Sequence, residues 1–234
     1  MKKIITAIAF FALLGAPTAF AGSFGVGVSA QYLNVEADGK EVGSVTGSET
    51  DSSTNTAAVD NSTAIGSAYV EYVFDGLNGL SLGYEMIPGS ADVSGKTHER
   101  VDTETSVSGT VAETSNSRRF QAAAEVENYN VIYAEIPVYA GIYVRGGYSQ
   151  IDVNTLETKS GNGGSYGNAT LDGINYGVGV KTVSGNLVGK LSYEINDFDD
   201  LSLTSSGNSA DSGTNKLTAD LDTSAVKLSV GYQF

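Results

Sequence analysis

The chain contains no cysteine, and only 13 of its 234 residues are Lys or Arg, against 27 Asp and Glu. Without cysteine it forms no disulfide and cannot be a lipoprotein tethered through that residue. The acidic balance, a formal net charge of −14, argues against nucleic acid as a partner, because phosphates would repel it. Beyond the N-terminal stretch no apolar run reaches the roughly 18 residues that a membrane-crossing helix needs. Proline and tryptophan are also scarce, with three and none respectively, while 29 Gly and 13 Tyr stand out. Val, Leu and Tyr are mixed too evenly with the acids for a disordered acidic tail.

The first residues read as an export leader. Lys2 and Lys3 precede an apolar run over 4–14, broken only by Thr6, and Ala19-Phe20-Ala21 supplies the small-x-small pattern of a cleavage site. The run is about a dozen residues, short of the roughly 20 needed to span a bilayer. Cleavage between Ala21 and Gly22 divides the chain into a removed leader, 1–21, and one mature domain, 22–234. It takes the net charge to −16, because Lys2 and Lys3 leave with the leader.

What fills the mature part is a period of two. Phe24, Val26, Val28, Ala30 and Tyr32 alternate with Gly25, Gly27, Ser29 and Gln31. The same pattern returns over 67–74, 80–86, 140–149, 174–181, 187–196 and 226–234. The segment around 129–136 is less clear, since Tyr129, Val131 and Tyr133 mark one face while Ile132, Ala134 and Ile136 mark the other. Its phase stays open and a bulge is one explanation. Segments of about 9–12 residues match tilted strands crossing hydrocarbon, with apolar faces outward and Gly, Ser and isolated charges inward. Short connections at 75–79, 136–138 and 184–186 alternate with long polar ones at 35–63, 88–122, 153–171 and 199–223. Short turns on one side and long loops on the other place both termini in the periplasm and four loops outside. The expected fold is all-β: a transmembrane antiparallel up-and-down β-barrel of eight strands. Ten is the alternative, because 99–111 also alternates, and the preferred account of that stretch is a ribbon above the membrane.

The layout and the tail together resemble the small outer-membrane barrels of the OmpA-barrel, OmpX and OmpW type. Leu228, Val230, Tyr232 and Phe234 resemble the C-terminal signature of that class, which implies recognition by the barrel-assembly machinery. The resemblance also implies a bacterial cell outer membrane location, contact with its lipid and lipopolysaccharide, and a monomer without the peptidoglycan-binding module of full-length OmpA. It leaves an extracellular partner unnamed.

Inward faces carry Glu71, Glu85, Arg145, Lys181, Lys190, Glu194 and Lys227. Glu85, Arg145, Glu194 and Lys227 fall about six to nine residues up their strands, so they share a layer, where a salt-bridge network is the expected solution. The expected role is structural and surface-interacting, with a largely filled, charge-paired lumen; a narrow channel for small solutes is the alternative. No catalytic, cofactor or metal site is expected. The single histidine, His98, stands beside Glu99 in the second loop without a catalytic spacing. Asp197, Asp199 and Asp200 lack a calcium-loop pattern and suit a hydrated surface. Arg118 and Arg119 are placed to meet lipid phosphates. Gly25-Val26-Gly27 and Gly185 precede no helix and are no nucleotide motif.

Overall fold

The computed structural model describes residues 21–43, 54–93, 98–108, 111–159, 165–206 and 214–234, without the side chains of 92, 98–108, 111–123 and 157–159. They form ten antiparallel strands: β1 (Gly22–Gly43), β2 (Thr54–Phe74), β3 (Leu80–Asp92), β4 (His98–Ser108), β5 (Val111–Tyr139), β6 (Ile142–Lys159), β7 (Ala169–Ser184), β8 (Leu187–Phe198), β9 (Leu201–Thr204) and β10 (Asn215–Gln233). Eight of them follow one another around a wall, β1-β2-β3-β5-β6-β7-β8-β10, and β1 pairs with β10 to close it. The closing seam runs from Gly25 opposite Gln233 to Gly43 opposite Asn215. β4 and β9 are not staves. β4 folds back on the upper part of β5 from Ala122 to Val111, and β9 lies against β10 at Lys216–Ala219. The barrel therefore has eight strands, and the described residues of 99–111, namely 99–108 and 111, belong to a ribbon.

The alternation of side chains sets two surfaces of opposite character. Outward residues such as Val28, Tyr32, Ile174 and Leu228 are 59–64% exposed, whereas Glu71, Glu85 and Glu135 inside are 2% exposed. That is the reverse of a water-soluble barrel and defines a transmembrane one, in which apolar side chains meet lipid and closure satisfies the peptide groups. Among the described residues no helix is long and apolar enough to cross a membrane.

Room for the interior comes from pairing glycine with tyrosine across the wall. Tyr133 lies over Gly83, Tyr69 over Gly27 and Tyr143 over Gly179, where a Cβ would come within 2.1, 2.4 and 2.5 Å of the respective ring. The three turns at the closed end are tight. Asp75–Leu77 is one 3-10 turn, followed by Asn78 and Gly79 at positive φ. Gly185, with φ 61, and Asn186 join β7 to β8 as a II′ pattern.

The middle turn lies elsewhere than expected. It is Ala140-Gly141, with φ 48 and 85, and not 136–138. Positive φ at both central positions is the I′ geometry that suits a hairpin's twist, and an added side chain at Gly141 would sit 2.6 Å from the Lys181 carbonyl. Pro137 stays in β5 because a register shift between Pro137 and Tyr139 accommodates its missing N–H.

A second bulge settles the phase of the segment around 129–136. The register shifts between Glu127 and Asn130, with Asn128 at φ 53. Beyond it Tyr129, Val131, Tyr133 and Glu135 point inward, and Ile136 points outward.

The long connections also differ from loops, because the strands run on into them. β1 and β2 stay paired up to Val42 and Thr54, and β5 and β6 up to Phe120 and Lys159. In this upper tier the chemistry of the two faces exchanges. Leu33, Val35, Ile151, Leu171, Phe198 and Leu221 turn inward and form one buried apolar cluster. Glu36, Asp197 and Asp222 take the outer positions and are exposed. Above the lipid the wall meets water, so a soluble-type core becomes the stable arrangement.

Gly83→Ala is expected to destabilise the barrel by about 1–3 kcal/mol, because the new methyl overpacks against the Tyr133 ring. Urea unfolding from lipid vesicles measures it. Gly146→Ala is the control, since nothing lies within 4 Å of a Cβ there.

Candidate functional site

The lower half of the interior is filled by eight charged side chains from seven staves: Glu71 on β2, Glu85 on β3, Glu135 on β5, Arg145 on β6, Lys181 on β7, Lys190 and Glu194 on β8, and Lys227 on β10. The strands deliver four acids and four bases, and β1 contributes small and polar residues such as Ser29 and Gln31. In a medium this dry an unpaired charge is unstable, and pairing with further hydrogen bonds is what makes such a group tolerable.

Two clusters share the work. In the first, Glu85 accepts from Arg145 at 2.7 Å, from Lys227 at 2.7 Å and from Ser67 at 2.6 Å. Lys227 also donates to Glu194 at 2.7 Å, and the Arg145 guanidinium lies 3.4 Å from the same carboxylate. Arg145 is held flat by stacking 3.7 Å above the Tyr133 ring and by donating from Nε to Asn175 at 2.8 Å. In the second cluster Lys190 bridges Glu71 at 2.5 Å and Glu135 at 2.7 Å, with its Nζ 4.9 Å over the Tyr69 ring. Lys181 joins more loosely, 3.8 Å from Glu71, and a 3.9 Å approach of Arg145 to Glu135 links the clusters. Cation–π contacts of this kind strengthen when desolvated.

A shell of amides and hydroxyls lies around the charges. Asn175 donates to Asn196 at 2.9 Å, and Asn196 to Thr223 at 3.1 Å. Ser29 meets Ser229 across the closing seam at 2.8 Å. The gap among Tyr69, Glu85, Glu135, Arg145, Lys190 and Lys227 leaves no water-sized space. Above this shell the apolar cluster of the upper tier continues across the interior.

All seven charges read from the alternation thus point into one interior and meet one another. Glu135 was missed. The uncertain phase of its segment hid it, although the seven alone give four bases to three acids and so leave one carboxylate to be found. Leu228, Val230, Tyr232 and Phe234 lie on the outer face, 44–69% exposed. The tail is fixed by Phe234 N–H donating to the Phe24 carbonyl at 2.8 Å, and Asn186 Nδ2 donating to that of Gln233 at 2.6 Å. Ala21 accepts from the Asp75 N–H at 3.0 Å and Gly22 pairs with Phe74, while the rest of the leader lies outside the described residues.

His98 and Glu99 open β4 opposite Ala122 and Gln121, and Arg118 and Arg119 lie opposite Asp102 and Val101. The side chains of all four lie outside the described residues. Among the described residues no three His, Cys, Asp or Glu come together as metal ligands. Asp199 and Asp200 follow β8 and are exposed.

Fold and interior define a class: a closed eight-stranded transmembrane barrel whose lumen is packed with its own side chains. No family model matches the chain, and no curated protein matches it. Among solved structures it is similar to the outer membrane protein OprG from Pseudomonas aeruginosa, with 12% identity, 92% of this chain and 97% of that one covered, and a TM-score of 0.48. It is similar also to the attachment invasion locus protein Ail of Yersinia pestis (12% identity, 90% and 99% covered, TM-score 0.38) and to the outer membrane protease OmpT from Escherichia coli (7% identity, 93% and 99% covered, TM-score 0.48). The barrel assignment rests on the closed sheet and its two faces.

Removing one partner from the network leaves another charge buried alone. Lys227→Ala is expected to destabilise the barrel by about 3–5 kcal/mol, measured by unfolding from vesicles, against a negligible effect of Lys40→Ala on the exposed upper part of β1. A second expectation concerns Asp222, above the lipid-facing belt. Its carboxyl is raised from the ordinary aspartate value by partial burial and then by Asp220, Asp197 and Glu36. A raised acid favours the folded state when protonated, so its repulsion weakens the fold above the unfolded-state pKa and disappears as pH falls. Asp222→Asn is expected to raise the apparent unfolding temperature at pH 7 and to lose that advantage near pH 3.5. An equal gain at both pH values would contradict the repulsion.

Proposed function

We propose that the protein is a non-conducting outer-membrane barrel that anchors and displays its extracellular ribbons. The observation that carries this reading is the double closure of the interior: a neutral layer of four acids and four bases without water-sized space, and an apolar cluster above it. An ion crossing such a lumen would have to separate buried pairs and then enter a hydrocarbon-like plug. Among the described residues, the part that projects outward is held by continued strand pairing, β1 with β2 and β5 with β6, well above the belt. Cleavage between Ala21 and Gly22, delivery through the assembly machinery by the aromatic tail, and a monomeric state belong to the same proposal.

Planar-bilayer recording tests it. The purified barrel is expected to insert without producing conductance steps at neutral pH, and Arg145→Ala to remain silent because the apolar tier still closes the path. Reproducible unitary steps in the unaltered protein, abolished or enlarged in Arg145→Ala, would favour a gated channel instead.

A further inference from the structure

Pairing between β2 and β3 stops near the top of the lipid-facing belt. Its last pair is Ala68 with Met86, although β2 extends up to Thr54 and β3 to Asp92. The cause lies in β3. Pro88 has no N–H to give, and the register shift between Ile87 and Ser90, with Gly89 at φ 93, turns the strand aside. The other edge of β2 stays paired with β1 as far as Thr54 opposite Val42. Gly79, which leads into β3, donates its N–H to the Phe74 carbonyl, and alternate residues of a strand direct their peptide groups to the same side. Thr56, Ala58, Asp60, Ser62, Ala64 and Gly66 therefore turn N–H and C=O toward the open side. No strand among the described residues meets them there. Ile65 on β2 and Ala91 on β3 pack against the buried apolar cluster of the upper tier but are only partly covered.

We propose that the open edge of β2 takes up an extended segment of a partner polypeptide as an added antiparallel strand, basic on its outer face and apolar on its inner one. The inference deepens the display reading given above and rests on it. Three observations select this occupant. A row of unpaired peptide groups is matched, group for group, by another extended backbone. The stretch from Thr54 to Ser67 holds no Pro, Lys or Arg, the residues that ordinarily protect an edge. And on the outer face Asp60 stands next to Glu36, Glu36 next to Asp222, and Asp222 next to Asp197. This exposed row of carboxylates crosses four strands and ends at the open edge. A base opposite Asp60 complements it, while an apolar residue beside Ile65 covers the flank of the cluster. A second copy in the same membrane suits the edge less well. Its β2 would run in the same direction, whereas every strand pairing among the described residues is antiparallel.

Binding of a short end-blocked peptide of alternating valine and lysine to the full barrel in phosphatidylcholine nanodiscs, read by fluorescence anisotropy, tests the proposal. Residues that exchange hydrogen bonds across an antiparallel pair share a face. The open groups of β2 belong to its outward residues, so the lysines of the peptide supply the matching N–H groups. N-methylation at the lysines is expected to weaken binding at least tenfold, and N-methylation at the valines, with the same charge, to leave it within about twofold. Ala64→Pro, which removes an N–H from the open side and none from the β1 side, is expected to weaken binding severalfold. Asp60→Lys is expected to reduce the preference for this peptide over its glutamate counterpart. The unfolding temperature in plain detergent checks the fold of each variant, and the methylated peptides leave the protein unaltered. Equal binding of the two methylated peptides would overturn the proposal in favour of charge attraction alone, and absence of binding by the unmethylated peptide would overturn it outright. A dimer of the protein that Ala64→Pro abolishes would overturn it in favour of a second copy. Conductance steps together with binding sensitive to lysine methylation would instead count against the sealed barrel and leave the edge assignment standing.

Discussion

A peptide group in hydrocarbon has no water to turn to, so every N–H and C=O of the belt must find its partner within the sheet. The pairing of β1 with β10 meets this demand, since it removes the two edges that an open sheet of the same strands would present. The remainder of the molecule follows from that ring. Eight strands fix a narrow bore, and a narrow bore admits only side chains that share space. Tyrosines therefore lie flat over glycines on neighbouring strands, and long charged chains reach across the axis to partners on other staves. Lys190 on β8 meets Glu71 on β2, and Lys227 on β10 meets Glu85 on β3. These contacts span the bore, so they brace the wall against flattening as well as filling it.

The same wall passes through two solvents and is written differently for each. In the belt the outer face is apolar and the inner face is polar. A few residues higher on the same strands, Leu33 and Val35 on β1 and Ile151 and Val153 on β6 bring apolar side chains inward without any change in the direction of alternation. The strands do not slip; the residue types exchange. Hydrophobic burial thus stabilises the upper tier as it would a soluble barrel, while the lower tier relies on paired charges inside and lipid outside.

This exchange explains what could be read from the residues and what could not. Strand number, closure and the inward set in the belt follow from the period of two, because there the polar and apolar faces are unambiguous. The segment around 129–136 resisted because its inner face carries Val131 and Tyr133 beside Glu135, while the bulge at Asn128 breaks the count from above. The middle turn was misplaced because Pro137 is the louder signal, although the hairpin needs two residues at positive φ and finds them in Ala140 and Gly141. The long connections looked like loops because they are rich in Ser, Thr, Asp and Gly. Their strand character depends on cross-strand partners far away in sequence, such as Val42 opposite Lys216, which composition does not reveal. Asp197 was visible as part of a hydrated surface, but its assembly with Asp222 and Glu36 required the register.

Why the belt should carry charges in its interior at all has a physical answer. Lipid surrounds it, so an apolar interior would make the two faces of each strand equivalent, and a strand shifted by one residue would be nearly as stable as the correct one. With Glu85, Arg145, Glu194 and Lys227 on one face, a one-residue slip moves an ion into hydrocarbon and separates it from its partners, a change far more unfavourable than losing a van der Waals contact. A buried ion pair adds little net stability over a well-packed apolar substitute, yet it discriminates strongly between registers. The upper tier needs no such device, since water on its outside already distinguishes Leu33 from Asn34. Charge is placed where the solvent fails to tell the two faces apart.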